Sequence, residues 1–429
     1  MSMQESGDST PAQGTATETS PLLPRNEVNG TSSDNRRWDL CKLFLVAAVY
    51  FLHRGMYDRF VSVSFILSKD INEHWYLWKY RQTLRVLLSL LTIGWWSHLA
   101  DVWGRKPIML ISLTGTTLSY LLFIALPQAK LPPDPRVYVG IVALDCLFGG
   151  NIAFSGLLYT YIGDCTSPNS RFMLFSALKG LSLFFYAAVA GFVIVLLPAG
   201  QIFFILWMMI SSVVALLNIV LIIWLLPETL QSPDQQLPIL KVMISPVVVF
   251  LQQPWLTLTL FAYAMTPNFE IIKMRFGILC SEGPFFYWWY SIFAFVASVF
   301  ALLFLYPAIL ILYQRKPRPL QAVLRFNRRL AYTCLSLDVF STVTVFSIAN
   351  SNRIAHLVFA AISPFTVAIT PAIYSLVPSY SAVLFGSFSV IEALGGMFSN
   401  MFVQSFLTGA TPTSLIIVVS TEPWQYASF

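Results

Sequence analysis

Between Leu40 and Leu407 the chain passes repeatedly through long apolar runs broken only by short polar turns. This pattern constrains the fold more than any single residue does. An apolar run of about 20 residues, wound as a helix, matches the hydrocarbon thickness of a bilayer. In hydrocarbon the backbone N–H and C=O groups must pair within their own segment, so each run is expected to be an α-helix. Composition points the same way. Of the 429 residues, 56% are hydrophobic and 11% charged, where soluble domains carry about 25% charged residues. The net charge of +6 is scattered between apolar runs, which fits basic loops at a membrane face better than a nucleic-acid surface. The expected class is an all-α polytopic membrane protein whose first partner is the lipid bilayer.

Residues 1–37 are rich in Ser, Thr, Gly, Pro and Asn and nearly lack aromatics. Such a segment buries too little apolar area to offset its ordering entropy, so it is expected to be a disordered tail, with no cleavable leader. Helices are expected over residues 40–67, 83–99, 108–127, 137–162, 172–197 and 202–226, making a first bundle over 38–230. The polar, Pro-containing stretch after Gln231 reads as a linker, 231–250, between two halves. Further helices are expected over 255–272, 285–312, 330–348, 354–376 and 382–407, giving a second bundle over 251–429. After Thr411 only Ser414–Ser420 is apolar, too short to span about 30 Å of hydrocarbon. The expectation is therefore eleven helices and a stub. The five cysteines, Cys41, Cys146, Cys165, Cys280 and Cys334, form no disulfide framework and no metal-ligand spacing. No cofactor or metal motif is visible. The constellations of common hydrolases are missing too, so an enzyme ranks last among the functional classes.

The turn Leu99–Pro107 joins the second and third runs and reads Leu-Ala-Asp-Val-Trp-Gly-Arg-Lys-Pro. Gly104 permits a tight turn without a Cβ clash. Arg105 and Lys106 hold the loop in water and can pair with acids. With Leu99 and Asp101 at their spacing, the stretch resembles the helix 2–3 loop of the major facilitator superfamily. Ser97 stands where that loop has its first Gly, and Val102 where it has a base after Asp. The Asp164-to-Arg171 loop after helix 4 and Pro227-Glu228-Thr229-Leu230 after helix 6 resemble further elements of the same superfamily. The resemblance implies two six-helix bundles, here with the twelfth helix truncated. It also implies that Asp101 meets the positive end of helix 11, a contact favoured by the helix dipole, and that Asp164 and Arg171 join Arg105 in a charge network. The equivalent loop of the second half, Gln314–Arg318, keeps its bases but lacks Asp-x-x-Gly. Bases concentrate in the loops after helices 2, 4, 6 and 8, which places those loops and the tail in the cytosol.

The Phe148-Gly149-Gly150-Asn151 stretch, the Asp164–Arg171 loop and a Pro-Leu-Leu tail together look most like the proton-coupled folate transporter-like branch and its fungal relatives. Helix 5 lacks the Gly-Pro-Gly-Gly pattern of drug–proton antiporters. Ionisable residues inside a membrane are candidates for function. The acids are Asp145, Glu270, Asp338 and Glu392; the bases are Arg54, Arg85 and Lys179. In the superfamily, helices 1, 4, 7 and 10 line the cavity, which favours Asp145 and Glu270, with Arg54 and Asp58, as the proton and substrate site. The function implied is secondary transport of a small organic solute, coupled to protons. The other reading is a non-transporting receptor or sensor, or an inactive truncated transporter-like protein.

Within the tail, Glu18-Thr19-Ser20-Pro21-Leu22-Leu23 resembles the acidic dileucine signal that clathrin adaptors read for vacuolar or lysosomal delivery. The plasma membrane is the alternative address. Replacing Leu22 and Leu23 with Ala is expected to move a fluorescently tagged protein from an internal membrane to the cell surface. An unchanged distribution under the microscope rejects the signal.

Overall fold

In the computed structural model of the chain, the described residues are 33–66, 71–128, 135–196, 200–230, 238–252, 254–264, 293–315, 319–348, 361–376 and 382–408. The first half holds α1 (Ser33–Ile66), α2 (Ile71–Val102), α3 (Arg105–Gln128), α4 (Pro135–Leu147), α5 (Gly150–Cys165), α6 (Arg171–Leu196) and α7 (Gly200–Leu225). The second holds α8 (Ile239–Gln252), α9 (Pro254–Ala264), α10 (Phe293–Gln314), α11 (Leu320–Ile348), α12 (Ile369–Ser375) and α13 (Ala382–Thr408). Among the described residues the ordered structure is helical. The 24-residue α3 is about 36 Å long, enough to cross the hydrocarbon. By length and composition, Trp38–Tyr57, Val139–Cys165, Arg171–Val189 and Phe293–Gln314 qualify as spans among the described residues, with Met209–Leu225 and Ala382–Phe398 as shorter apolar helices.

Several boundaries differ from the expected ones. The fourth run is not one helix. It breaks after Leu147, because Gly149 and Gly150 take φ of 86° and 53°, a left-handed geometry that ends an α-helix. The carbonyls freed at the end of α4 are met from α2: Thr92 Oγ1 donates to the Cys146 oxygen at 3.1 Å and Trp96 Nε1 to the Leu147 oxygen at 3.0 Å. The second helix begins at Ile71 rather than Thr83, and the ninth at Leu320 rather than Leu330. The basic residues Arg325 to Arg329 are therefore helical, as the high helix propensity of Arg, Gln, Leu and Ala favours. Within the stretch read as a linker, α8 packs against α2 and α13. The described part of the tenth run, from 361 onward, holds a 3₁₀ turn over Ser363–Ala368 followed by α12. A π turn over Ala301–Leu305 interrupts α10. The tail, with Glu18, Leu22 and Leu23, lies outside the described residues, as do Glu270, the side chain of Asp58 and the stretch after Thr408.

The core runs through both halves. Tyr50, Leu158, Tyr161, Phe172 and Phe175 of the first half share one apolar cluster with Tyr306, Ile373, Tyr374, Phe385 and Phe388 of the second. The outer faces carry large exposed apolar side chains, such as Leu91, Met209, Val213, Trp224, Phe300 and Phe340, as lipid-facing surfaces do. α2 and α5 both pack on α13, and α6 packs on α12 and the π turn. One close approach is between two glycines. A Cβ on Gly156 of α5 would lie 2.9 Å from the Gly386 Cα of α13. Backbone meets backbone there, so neither helix can move aside.

Gly156→Leu is expected to force α5 from α13 and to destabilise the protein by about 1–3 kcal/mol, the usual cost of overpacking. A Cβ at Gly140 would meet nothing within 4 Å, so Gly140→Ala serves as the clash-free control and is expected to melt no lower than the wild type. Thermal unfolding in detergent separates the two. Equal melting temperatures would mean the glycine contact does not hold the halves together.

Candidate functional site

Two polar clusters stand out, one at the membrane edge and one in the middle of the helices. The first is built on the turn between α2 and α3. Gly104 takes φ of 113°, and a side chain there would strike the Glu228 carboxylate. The turn thereby presents the first N–H groups of α3, which have no partner within their own helix. Glu228 receives them, accepting from Arg105 N–H at 2.9 Å and Lys106 N–H at 3.1 Å. The same carboxylate accepts from the N–H groups of Thr229 and Leu230 at 3.0 Å each. A negative charge at a helix N-terminus is the favourable arrangement of the dipole. Lys106 Nζ donates to the Ile223 oxygen at 2.8 Å, and Tyr161 donates its O–H to the Pro227 oxygen at 2.8 Å. The end of α7 is thus tied to both α3 and α5.

Arg105 is the centre of this cluster. Its guanidinium pairs with Asp101 and, through Nε, with Asp164 Oδ2 at 3.2 Å. Thr229 Oγ1 donates to the same Asp164 oxygen at 3.1 Å. Burial works against the Arg105 charge, but Asp101 and Asp164 outweigh it and hold its pKa above the ordinary guanidinium value. Arg171, buried at the start of α6, lies within electrostatic reach of Asp164. Asp101 also accepts from the Ala382 N–H at 3.1 Å, the first residue of α13 in the other half. Asp101 is therefore in contact with the N-terminal end of the helix that the sequence counts as the eleventh. Gln314 Nε2 donates to the Asn169 oxygen at 2.7 Å, a second polar link between the halves at this edge.

The second cluster joins the halves at depth. Lys179 of α6 and Glu392 of α13 form an ion pair, Nζ to Oε1, at 2.6 Å, with each side chain 23% exposed. Thr370 Oγ1 of the adjoining α12 stands 3.4 Å from the same oxygen. Below the pair, Tyr159 of α5 stacks on Tyr374 of α12 with centroids 4.4 Å apart. Ser176 Oγ of α6 donates to the Leu302 oxygen in the π turn at 2.7 Å. Counted from the first residues of α6 and α13, Arg171 and Ala382, Lys179 and Glu392 lie about 12 and 15 Å along their helices. Both are close to the middle of a hydrocarbon layer about 30 Å thick.

The favoured residues of the sequence reading fall elsewhere. Asp145 is buried among α2, α3 and α4, with its Oδ2 3.8 Å from Arg85 Nε and its Oδ1 accepting from Thr116 Oγ1 at 2.8 Å. All of these partners belong to the first half. Arg54 lies on α1 with its guanidinium 5.7 Å from the Tyr57 ring centre. Glu270 and the side chain of Asp58 are not among the described residues. Lys179 and Glu392 both appear among the ionisable residues in the sequence but rank below the others there. Their similar depth in helices 5 and 11, which are equivalent in the two halves, is the signal that could have raised them.

No family model matches the chain. It is 27% identical over 178 residues to human Hippocampus abundant transcript-like protein 1, covering 41% of the chain and 32% of that protein. It is 30% identical over 160 residues to the class B tetracycline resistance protein of Escherichia coli, covering 37% of the chain and 35% of that protein. The matches thus span about a third of the length of these curated relatives. Among solved structures, the fold is similar to the human organic anion transporter MFSD10 (TETRAN), with TM-score 0.68 and 14% identity over 90% of this chain and 98% of that one. It is similar to the major facilitator transporter FucP in its outward conformation, with TM-score 0.62 and 14% identity over 89% and 94%. A bacterial homologue of the iron transporter ferroportin, in an outward-facing state, gives TM-score 0.61 and 12% identity over 89% and 95%. The chain has the major facilitator fold and is an integral, multi-pass membrane protein.

Removing one member of a buried ion pair leaves a charge without its partner and costs about 3–5 kcal/mol. Asp101→Ala is expected to fall at the low end of that range, since Asp164 still faces Arg105. Adding Arg105→Met should recover part of the loss. Thermal unfolding of the single and double variants in detergent provides the cycle. Additive losses would mean that the two residues do not act as a pair.

Proposed function

We propose that this protein is a secondary transporter that carries a small organic solute across the bilayer by alternating access, coupled to protons. The observation that carries the reading is the Lys179–Glu392 pair, which bridges the two halves near the middle of the membrane. Transporters of this architecture bind substrate near the midplane, where the halves meet. A bridge between halves at that depth must open or rearrange when they rock. The fold and its similarity to transporters of organic anions, sugars and iron support the reading. The Phe148–Asn151 and Asp164–Arg171 motifs resemble those of the proton-coupled folate transporter-like branch and support the coupling to protons.

The chemistry of the pair sets the coupling. While Lys179 faces Glu392, each group neutralises the other. A solute that carries its own carboxylate competes for Lys179. In this reading Glu392, released from its cation, is the group that accepts the proton. One proton and one organic carboxylate move together, and the charge of the site is unchanged. At the membrane edge, the Asp101–Ala382 contact and the Arg105 cluster close the cytosolic side while the cavity faces outward. Asp145, paired within one half, positions helices in this scheme. The dileucine motif in the tail supports a vacuolar or lysosomal membrane.

The experiment begins with uptake of radiolabelled organic acids into proteoliposomes, with and without an inward proton gradient. In the wild type the gradient is expected to speed uptake at least tenfold for a transported acid. Glu392→Gln should keep solute exchange and lose that acceleration, whereas Lys179→Gln should lose uptake itself. If Glu392→Gln retains the full dependence on the gradient, Glu392 is not the proton carrier.

A further inference from the structure

The outward face of α11 changes character along its length. Arg325, Arg328 and Arg329 are exposed there, with Gln321 one turn earlier. Their spacing of three and four residues puts them on one stripe. Continuing along the helix, the exposed positions are Tyr332, Thr333 and Ser336, then Leu337, Val339, Phe340 and Val343. The opposite stripe, Val323, Asn327, Ala331 and Cys334, is buried. Asn327 is anchored there, donating from Nδ2 to the Ser375 Oγ at 2.9 Å.

The order along the exposed stripe fixes its depth. Phe340 and Val343 belong in hydrocarbon, and tyrosine collects at the boundary between tails and headgroups. The arginines, one to two turns beyond Tyr332, then stand at the level of the phosphates. Exposed Arg315, at the end of α10, adds to them. There is no acid between Arg315 and Leu337 in the sequence. Among the described residues, none of these four arginines forms an ion pair. The edge concerned is the one that carries the Asp101–Lys106 turn, since Gln314 bonds to the Asn169 oxygen in the loop after Asp164. In the first half, Arg105 of the corresponding turn is paired with Asp101 and Asp164, and the Lys106 ammonium donates to the Ile223 oxygen. The second half keeps the bases without the acids.

We propose that this stripe is a docking site for the headgroups of anionic phospholipids. The arginines offer fixed, planar donors to phosphate and carboxylate oxygens, and the lipid tails lie along the apolar continuation of the same stripe. Basic clusters beside a membrane span attract anionic lipids through the surface potential of the leaflet. The site is separate from the Lys179–Glu392 pair and does not depend on what the protein transports.

The test uses the purified full chain in detergent, incubated with an equimolar mixture of phosphatidylserine and phosphatidylcholine of identical acyl chains. Native mass spectrometry reads which lipid stays bound. The wild type is expected to retain phosphatidylserine at least fivefold over phosphatidylcholine. R325Q/R328Q/R329Q should bring the ratio close to one, and R325K/R328K/R329K should keep most of the preference. A folded wild type should also lose preference as salt is raised from about 0.1 to 0.5 M, a readout that needs no variant. Equal retention of both lipids by the wild type, or a preference that survives the glutamine substitutions, overturns the proposal.

Discussion

Arg105 is a full positive charge buried at the rim of a hydrocarbon slab, and much of the rest follows from how it is kept there. A lone guanidinium in that position would be costly by several kcal/mol. Asp101 and Asp164 face it from α2 and α5, so three helices of the first half converge on one charge. Glu228 completes the arrangement by accepting the first N–H groups of α3. The cluster leaves Asp101 with spare acceptor capacity, and the Ala382 N–H takes it. The carboxylate that neutralises Arg105 therefore also joins the two halves of the molecule. Stability of the first bundle and the contact between the halves at this edge rest on the same carboxylate.

The links between the halves differ in kind with depth. At the rim they are charge-assisted and reach backbone amides, as in Asp101 to Ala382 and Gln314 to Asn169. Deeper, α5 and α13 touch glycine to glycine, where van der Waals contact replaces charge. The Tyr159–Tyr374 stack belongs to this layer as well, and the Lys179–Glu392 pair stands farther in. In the proposed cycle the deepest link answers to solute and proton, whereas the rim answers to the geometry of the two bundles. Separating the chemical trigger from the mechanical latch lets one respond to cargo without the other being rebuilt.

The fold was largely legible in the sequence, since hydrocarbon forces apolar runs into helices and one charged turn sets their order. The rim cluster was legible as well, because its residues sit in short loops at recognisable spacing. The limits have physical causes. The break after Leu147 was missed because a pair of glycines in an apolar run has the same composition whether the chain runs straight or turns left-handed. The basic run of α11 reads as a loop by its charge, although its helix propensity is high. Lys179 and Glu392 are 213 residues apart, and no local pattern announces such a pairing. Asp145 drew attention by standing alone in its run; its partners, Arg85 and Thr116, come from two neighbouring helices.

Gly149 and Gly150 carry a consequence for how this chain tolerates change over generations. Both have left-handed backbone angles, which residues with a Cβ adopt only at a cost. Side chains of α2 have already been recruited to the carbonyls that this geometry releases. A substitution at either glycine therefore does not restore a straight helix, since Thr92 and Trp96 are set for a broken one. Intolerance at these adjacent positions will measure the handedness of the backbone, and in a mutational survey it will look the same as intolerance at a residue that touches cargo. Thr92 and Trp96 provide the means of telling the two apart. Their tolerance should follow that of the glycines, whatever solute is used for selection.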